Sequence, residues 1–371
     1  MRTLLKLSLV LALALPSFGA CVLSRTVTVN NAKVASTLTG FPVGVIGTFN
    51  GTSGTPDLRS VAHGGKTPNA DTNGYSIGYF SDSNCSTILP YQTVTFNATT
   101  GIDEFWVLPA SVSTSNTPFY VRYGDPAITT DLSNPTAVWA GYRIVSHLVT
   151  AADATGNTTG TLHSTGAGTG QVGADTTFDG TNGWIDYGTT SALAFNGNTI
   201  EAWIKLTDNN LRIIADDEGT GSTGGGISFR QNNSGGPLYY EYLQDASNYA
   251  LNATTAFLAL NTFTHLAGTW DGTTIRLYVN GSAATMGTQS NSGTVTGGYT
   301  PGVMSVGGRA GTTSFRWTSD IDEFRISNVA RSANWISASY NNQSSPSTFV
   351  AFGSEVGGGA SPVKRMKVIL N

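Results

Sequence analysis

Between residues 226 and 243 the chain reads GISFRQNNSGGPLYYEYL: two alternating runs joined by an Asn/Ser/Gly/Pro turn. Successive side chains on a strand point to opposite faces, so Leu238, Tyr240 and Tyr242 share one face and Tyr239, Glu241 and Leu243 the other. Three tyrosines in four positions exceed what one core face needs, and Tyr239 and Glu241 are expected to meet water. A ring that stacks on the apolar face of a sugar, beside a guanidinium and carboxylates that hold its hydroxyls, is the chemistry such residues supply. Arg230, Tyr239, Glu241, Trp317 and Asp217 of the acidic ADDEG tip are therefore the candidate ligand-binding residues. The competing structural role is that these rings cover a sheet edge.

Other chemistries find less support. Glycosidases need two carboxylates about 5 Å apart or more on one substrate, and no E-x-D-x-x-E pattern occurs. Asp103-Glu104 and Asp322-Glu323 stand in two copies of IDEF, where neighbouring residues of a strand point apart. The flanking sequences of the two copies differ, so each reads as an ordinary strand rather than a repeated site. The four histidines, His63, His147, His163 and His265, lack zinc-site spacing, and His265 in FTHLAGTW reads as a strand residue. Neither a G-x-S-x-G elbow nor a phosphate-cradling loop is present. A non-enzymatic protein is the expectation.

Elements that could position these residues follow from composition. Only 11% of the 371 residues are charged, 45 are Gly, and short apolar/polar alternations recur between Gly, Asn, Ser and Pro clusters, which predicts an all-β protein of two β-sandwich domains. Residues 1–20, with Arg2 and Lys6 before an apolar run, read as a secretory signal peptide. No later segment approaches the roughly 20 apolar residues of a membrane helix. Residues 21–139 and 140–357 form the two domains, and 358–371 a basic flexible tail. A net charge of -4 without a Lys/Arg stripe argues against nucleic acid. Cys21 and Cys85 are permitted to form a disulfide after export, while Cys21 beside the cleavage region leaves a lipid anchor as the alternative fate. The TWDGTTIRLYVNG stretch, 269–281, predicts a strand between Asp-Gly and Asn-Gly turns, with Ile275, Leu277 and Val279 in the core and Arg276 and Tyr278 on a partly wet face. SANWISASYNN, 332–342, predicts a helix capped by Ser332, with Trp335 packed inward.

FDGTNGWIDYG, TIEAWIKL, FTHLAGTWDGTTIRLYVNG and IDEFRISNVARSANWISASYNNQSSPSTFVAFGSEV, in that order, resemble the laminin-G-like, concanavalin A-like lectin/glucanase jelly-roll domains of bacterial secreted proteins. Residues 21–139, with FPVGVIG, YFSDSNCSTILPYQTVTF and PFYVRYGDP, resemble the domain of unknown function 2341, although Ser76 and Gln92 replace the Asp and Glu expected there. The first resemblance implies a jelly roll and a structural Ca2+ at Asp179 and Asp322, and the second implies no activity. Taken together, these readings lead to a secreted or cell-surface module that binds a glycan or cell-surface polysaccharide. The alternatives are a divergent glycoside hydrolase and a protein–protein spacer of an envelope or virus particle.

Overall fold

The computed structural model describes residues 21–194, 196–217, 225–231, 237–255 and 258–357. The expected leader (1–20), the tail (358–371) and Glu218 of the acidic tip lie outside them. The described residues are nearly all β, as composition predicts.

In the first sandwich, β1 (Leu23–Val29), β2 (Val43–Thr48), β3 (Tyr91–Thr95), β4 (Ile102–Val107) and β5 (Thr117–Tyr123) are the main strands. β1 and β5 pair antiparallel in one sheet, and β2, β4 and β3 form a three-stranded sheet in that order. Val27, Val45, Phe105, Phe119 and Val121, all at most 1% exposed, meet between them.

Among the described residues the second sandwich has two eight-stranded sheets. One includes β6 (Tyr142–Ser146), β7 (Ala174–Asp179), β8 (Asn198–Lys205), β11 (Phe263–Trp270), β12 (Ile275–Val279) and β13 (Thr318–Ser327), and the other carries β9 (Gly226–Gln231) and β10 (Leu238–Leu243). Their facing sides bury Ile200, Leu266, Leu277, Ile321, Phe324 and Ile326 against Ile227, Phe229, Tyr240 and Tyr242. Full burial of such side chains is worth about 1.5–3 kcal/mol each and selects this register.

Helix α1 (Ala333–Ser344) starts where expected: the Ser332 hydroxyl accepts from Trp335 N at 3.3 Å, and Trp335 is buried. It lies between the sandwiches. Asn342 bonds both N and O of Gly44 in β2 (2.7 and 2.9 Å), while Gln343 Oε1 accepts from Trp203 Nε1 of β8 at 2.8 Å. The chain then returns to the first sandwich, where β14 (Val350–Phe352) and β15 (Val356–Gly357) pair with β1. Residues 350–357, expected in the jelly roll, thus complete the other sheet. Tyr278 also departs from expectation: it is buried, because the outer side of its sheet is covered at that end of the strand, while Arg276 on the same side stays exposed.

Candidate functional site

The expected ligand-binding residues separate into two groups. Register pairs Arg230 with Tyr239 and Ser228 with Glu241 across β9 and β10. The Arg230 guanidinium lies 4.2 Å from the Tyr239 ring centroid, donates to Glu241 Oε2 at 3.2 Å and to Ser228 Oγ at 2.8 Å. Arg230, Tyr239 and Glu241 are half-buried on the outer side of this sheet, as alternation predicts, and Ser228 beneath them is fully buried. Trp317 and Asp217 do not join them. Trp317 is fully buried in the core with Nε1 donating to Asp320 O at 3.3 Å, and Asp217 is wholly buried with Oδ1 accepting from Ile227 N. An aromatic and an acid read as exposed are instead buried, each held by a backbone bond to the neighbouring chain: Trp317 N donates to Gly307 O at 2.8 Å and Asp217 N to Ile227 O at 3.0 Å.

The two expected Ca2+ ligands have different surroundings. Asp179 Oδ1 accepts from the N–H groups of Thr181, Asn182 and Gly183 at 2.7–2.8 Å and caps its own turn. It pairs with Thr318, and four residues along β13 is about 13 Å at ~3.3 Å per residue, so one ion cannot bridge Asp179 and Asp322. Asp322 is fully buried and accepts from Val172 N at 2.8 Å. Cys21 and Cys85 are joined by a disulfide, with Cα atoms 5.8 Å apart.

Sequence reasoning missed a buried cluster of ionisable groups between the two sandwiches. The outer side of the β2–β4–β3 sheet faces the outer side of the β13–β8–β11 sheet, and both IDEF copies contribute. Glu104, His147 and Glu323 are buried there with one ligand-type atom each, all within 4.8 Å of one another. His147 Nδ1 is 2.7 Å from Glu323 Oε1 and 3.4 Å from Glu104 Oε1, and its Nε2 is 3.1 Å from Gln92 Oε1. Trp106 Nε1 donates to Glu104 Oε1 at 2.7 Å, Trp139 Nε1 to Gln92 Oε1, and Arg325 Nη2 to Glu323 Oε2. Arg325 also stacks over Trp106 at 4.2 Å and faces Glu201 Oε1 at 3.7 Å.

A β-bulge explains the convergence. Glu201 pairs with Arg325 but Trp203 with Asp322, so β13 carries one extra residue, and Glu323 has φ +50°. With Ile321 and Phe324 both in the core, the bulge turns Asp322 and Glu323 to the same outer side. Two adjacent acids expected on opposite faces therefore share one.

Their electrostatics differ. Burial pushes the Glu104 carboxyl well above its ordinary range, and the charges of Glu323 and Asp322 push it further. Burial also opposes ionisation of Glu323, yet His147 and Arg325 together outweigh it and hold that carboxyl at about 2. Burial acts likewise on Glu201, where His265 and Arg325 prevail and lower it. Beside His147 and Gln92 lies a cavity of about 190 Å³, also lined by Thr93, Val149 and Thr150.

Residues 179–337 match the family model of the concanavalin A-like lectin/glucanases superfamily, laminin G type. No curated protein matches the sequence. Among solved structures, domain 4 of an extracellular arabinanase from Geobacillus stearothermophilus, solved with arabinotriose, is 19% identical with a TM-score of 0.41, covering 50% of this chain and 91% of that one. The binding domain of Paraclostridial Mosquitocidal Protein 1 is 14% identical with a TM-score of 0.42, covering 55% and 52%. A heptameric pentraxin from Limulus polyphemus is 16% identical with a TM-score of 0.29, covering 38% and 69%. The 179–337 segment is thus similar in sequence to the concanavalin A-like lectin/glucanases superfamily, and its two facing sheets have the sandwich architecture expected for it.

Proposed function

We propose that this is an exported, non-catalytic carbohydrate-binding or adhesion protein that takes a glycan on the outer side of the sheet carrying Arg230, Tyr239 and Glu241. The observation that carries this reading is the clamped guanidinium: Arg230 is fixed by the Glu241 carboxylate and the Tyr239 ring. A sugar hydroxyl meeting such a pair freezes no mobile side chain, which lowers the entropic cost of binding. The Cys21–Cys85 bond supports export, since disulfides persist in oxidising compartments. Absence of catalysis is supported by the state of an acid pair that the fold brings together: Glu104 and Glu323 are at most 2% exposed and engaged by Trp106, His147 and Arg325.

The test is glycan-array binding of the 21–357 chain. Tyr239→Ala and Arg230→Ala are each expected to weaken binding by about 1–3 kcal/mol, as loss of a central anchor does, with little change in the unfolding midpoint. Trp317→Ala should instead lower that midpoint. Equal binding by wild type and both surface variants removes this site from consideration. Incubation with a polysaccharide panel should release no reducing ends; release that stops in Glu323→Gln would overturn the non-catalytic reading.

A further inference from the structure

We infer that Glu104, His147 and Glu323 form a site for a single first-row divalent metal cation, of which Zn2+ is the probe, that fastens the two sandwiches together. The three donors come from both units: Glu104 from β4, Glu323 from β13, and His147 from the residue after β6.

The tautomer of His147 follows from its neighbours. An indole N–H only donates, so the Gln92 atom that Trp139 Nε1 meets is the carbonyl oxygen. That same oxygen lies 3.1 Å from His147 Nε2, which must therefore carry hydrogen. Nδ1 faces the two carboxylates and, 2.7 Å from the ionised Glu323 carboxylate, carries a hydrogen as well in the metal-free protein; a bound cation displaces that hydrogen and leaves the Nε2–H tautomer with Nδ1 as the ligand atom. A metal-binding histidine characteristically donates its other N–H to such an oxygen, which fixes ring orientation. The carboxylates are braced in the same manner, Glu323 by Arg325 and Glu104 by Trp106. Glu104 Oε2, in a side chain 2% exposed, accepts no hydrogen bond and is available as a further ligand atom.

Charge points the same way. Glu104, Glu201, Asp322 and Glu323 are each at most 3% exposed, and Arg325 is the guanidinium placed among them. His147 and His265 stand among the same acids, and a divalent cation is the further positive charge that would let all four carboxyls ionise together. An imidazole with two carboxylates suits Zn2+, Mn2+ or Fe2+, whereas Ca2+ takes six to eight oxygens. Bonds of about 2.0–2.1 Å in a tetrahedral zinc site give donor separations near ~3.3 Å. The 3.4 Å between His147 Nδ1 and Glu104 Oε1 already fits, and the 2.7 Å to Glu323 Oε1 widens by a small turn of the carboxylate. The cavity beside His147 and Gln92 brings solvent up to the histidine, and Glu104 Oε2 is the fourth ligand atom at hand.

The experiment uses untagged 21–357 chain, stripped with chelator and titrated with Zn2+ by calorimetry, with metal content read by elemental analysis. One equivalent per chain, with a raised unfolding midpoint, is expected. His147→Ala and Glu104→Gln should each abolish stoichiometric uptake, and Gln92→Leu should weaken it about 10–100-fold through the lost orientation of the ring. Co2+ loading of the wild type should give the intense visible absorption of a four-coordinate ion, a readout that stands even where a variant fails to fold. Uptake well below one equivalent, a wild-type Co2+ complex without that absorption, or undiminished binding by folded His147→Ala and Glu104→Gln would overturn the site.

Discussion

Asp175 lies beside the Thr176–Ile321 pair of the β7–β13 ladder, fully buried and close to the charge of Asp320. Burial first, and that neighbouring charge second, raise its carboxyl to about 6. Because the folded form holds this proton more tightly than the unfolded chain, whose value is near ~3.9, stability falls as pH rises from about 4 to about 6 and then stays at the lower level. Asn cannot ionise. Asp175→Asn should therefore match wild type near pH 4 and exceed it above pH 6, by about 1–2 kcal/mol against a ceiling of roughly 3 for a two-unit shift. Urea midpoints across pH 4–8 check this; an advantage that grows toward acid pH would refute it. At the same scale, Arg230, Tyr239 and Glu241 were legible because strict alternation holds on β9 and β10. Glu104 and Glu323 were not, because a bulge at Glu323 and a contact between residues 219 positions apart leave no local trace.

Among elements, the 269–281 hairpin was read almost completely, and the exception is informative. Asn280 and Gly281, both with positive φ, form the two-residue reversal between Val279 and Ser282, whereas Asp271 accepts from Thr273 N and Thr274 N in a longer loop. Alternation correctly assigned Ile275 and Leu277 to the core. It misread Tyr278, since a period of two reports that a strand has two sides and not what covers the second one. At Gly281 the covering helix is the constraint. A Cβ there would lie 2.8 Å from Tyr340 Cβ on α1, at φ +74°. Gly40 has a similar φ of +72° but open space around it. Gly40→Ala should thus cost only the left-handed backbone penalty of about 1–2 kcal/mol, while Gly281→Ala adds displacement of α1 and should cost more, about 2–4 kcal/mol. Chemical unfolding of both variants decides it. Equal losses would show that α1 yields freely.

At the scale of the molecule, two sandwiches were legible from the recurring short alternations, but their interdependence was not. Complementary faces leave no motif in either sequence. The first core is finished by residues from the far end of the chain: Phe41 packs on Trp335 at 5.0 Å and on Phe349 at 6.4 Å, Phe49 meets Phe352 at 5.6 Å, and β1 takes its edge partners from 350–357. A fragment ending at Trp139 would lose those rings and that pairing, and would expose Trp106, Glu104 and Gln92 on a sheet built to be covered. Loss of several large buried side chains at about 1.5–3 kcal/mol each is comparable with the whole stability of a domain of this size, about 5–15 kcal/mol. The 21–357 chain is accordingly expected to unfold in one transition, with coincident midpoints by tryptophan fluorescence and far-ultraviolet circular dichroism. The isolated 21–139 fragment should show no cooperative transition, even with its Cys21–Cys85 disulfide intact. A chain stopped after Ser344, which keeps α1 but lacks β14 and β15, should unfold at a lower midpoint than 21–357, with its loss traced to the first sandwich by hydrogen exchange at β1 and β5. A 21–139 fragment with a sharp transition of its own and a native near-ultraviolet spectrum would mean that the first sandwich is self-sufficient, and that the returning strands only decorate it.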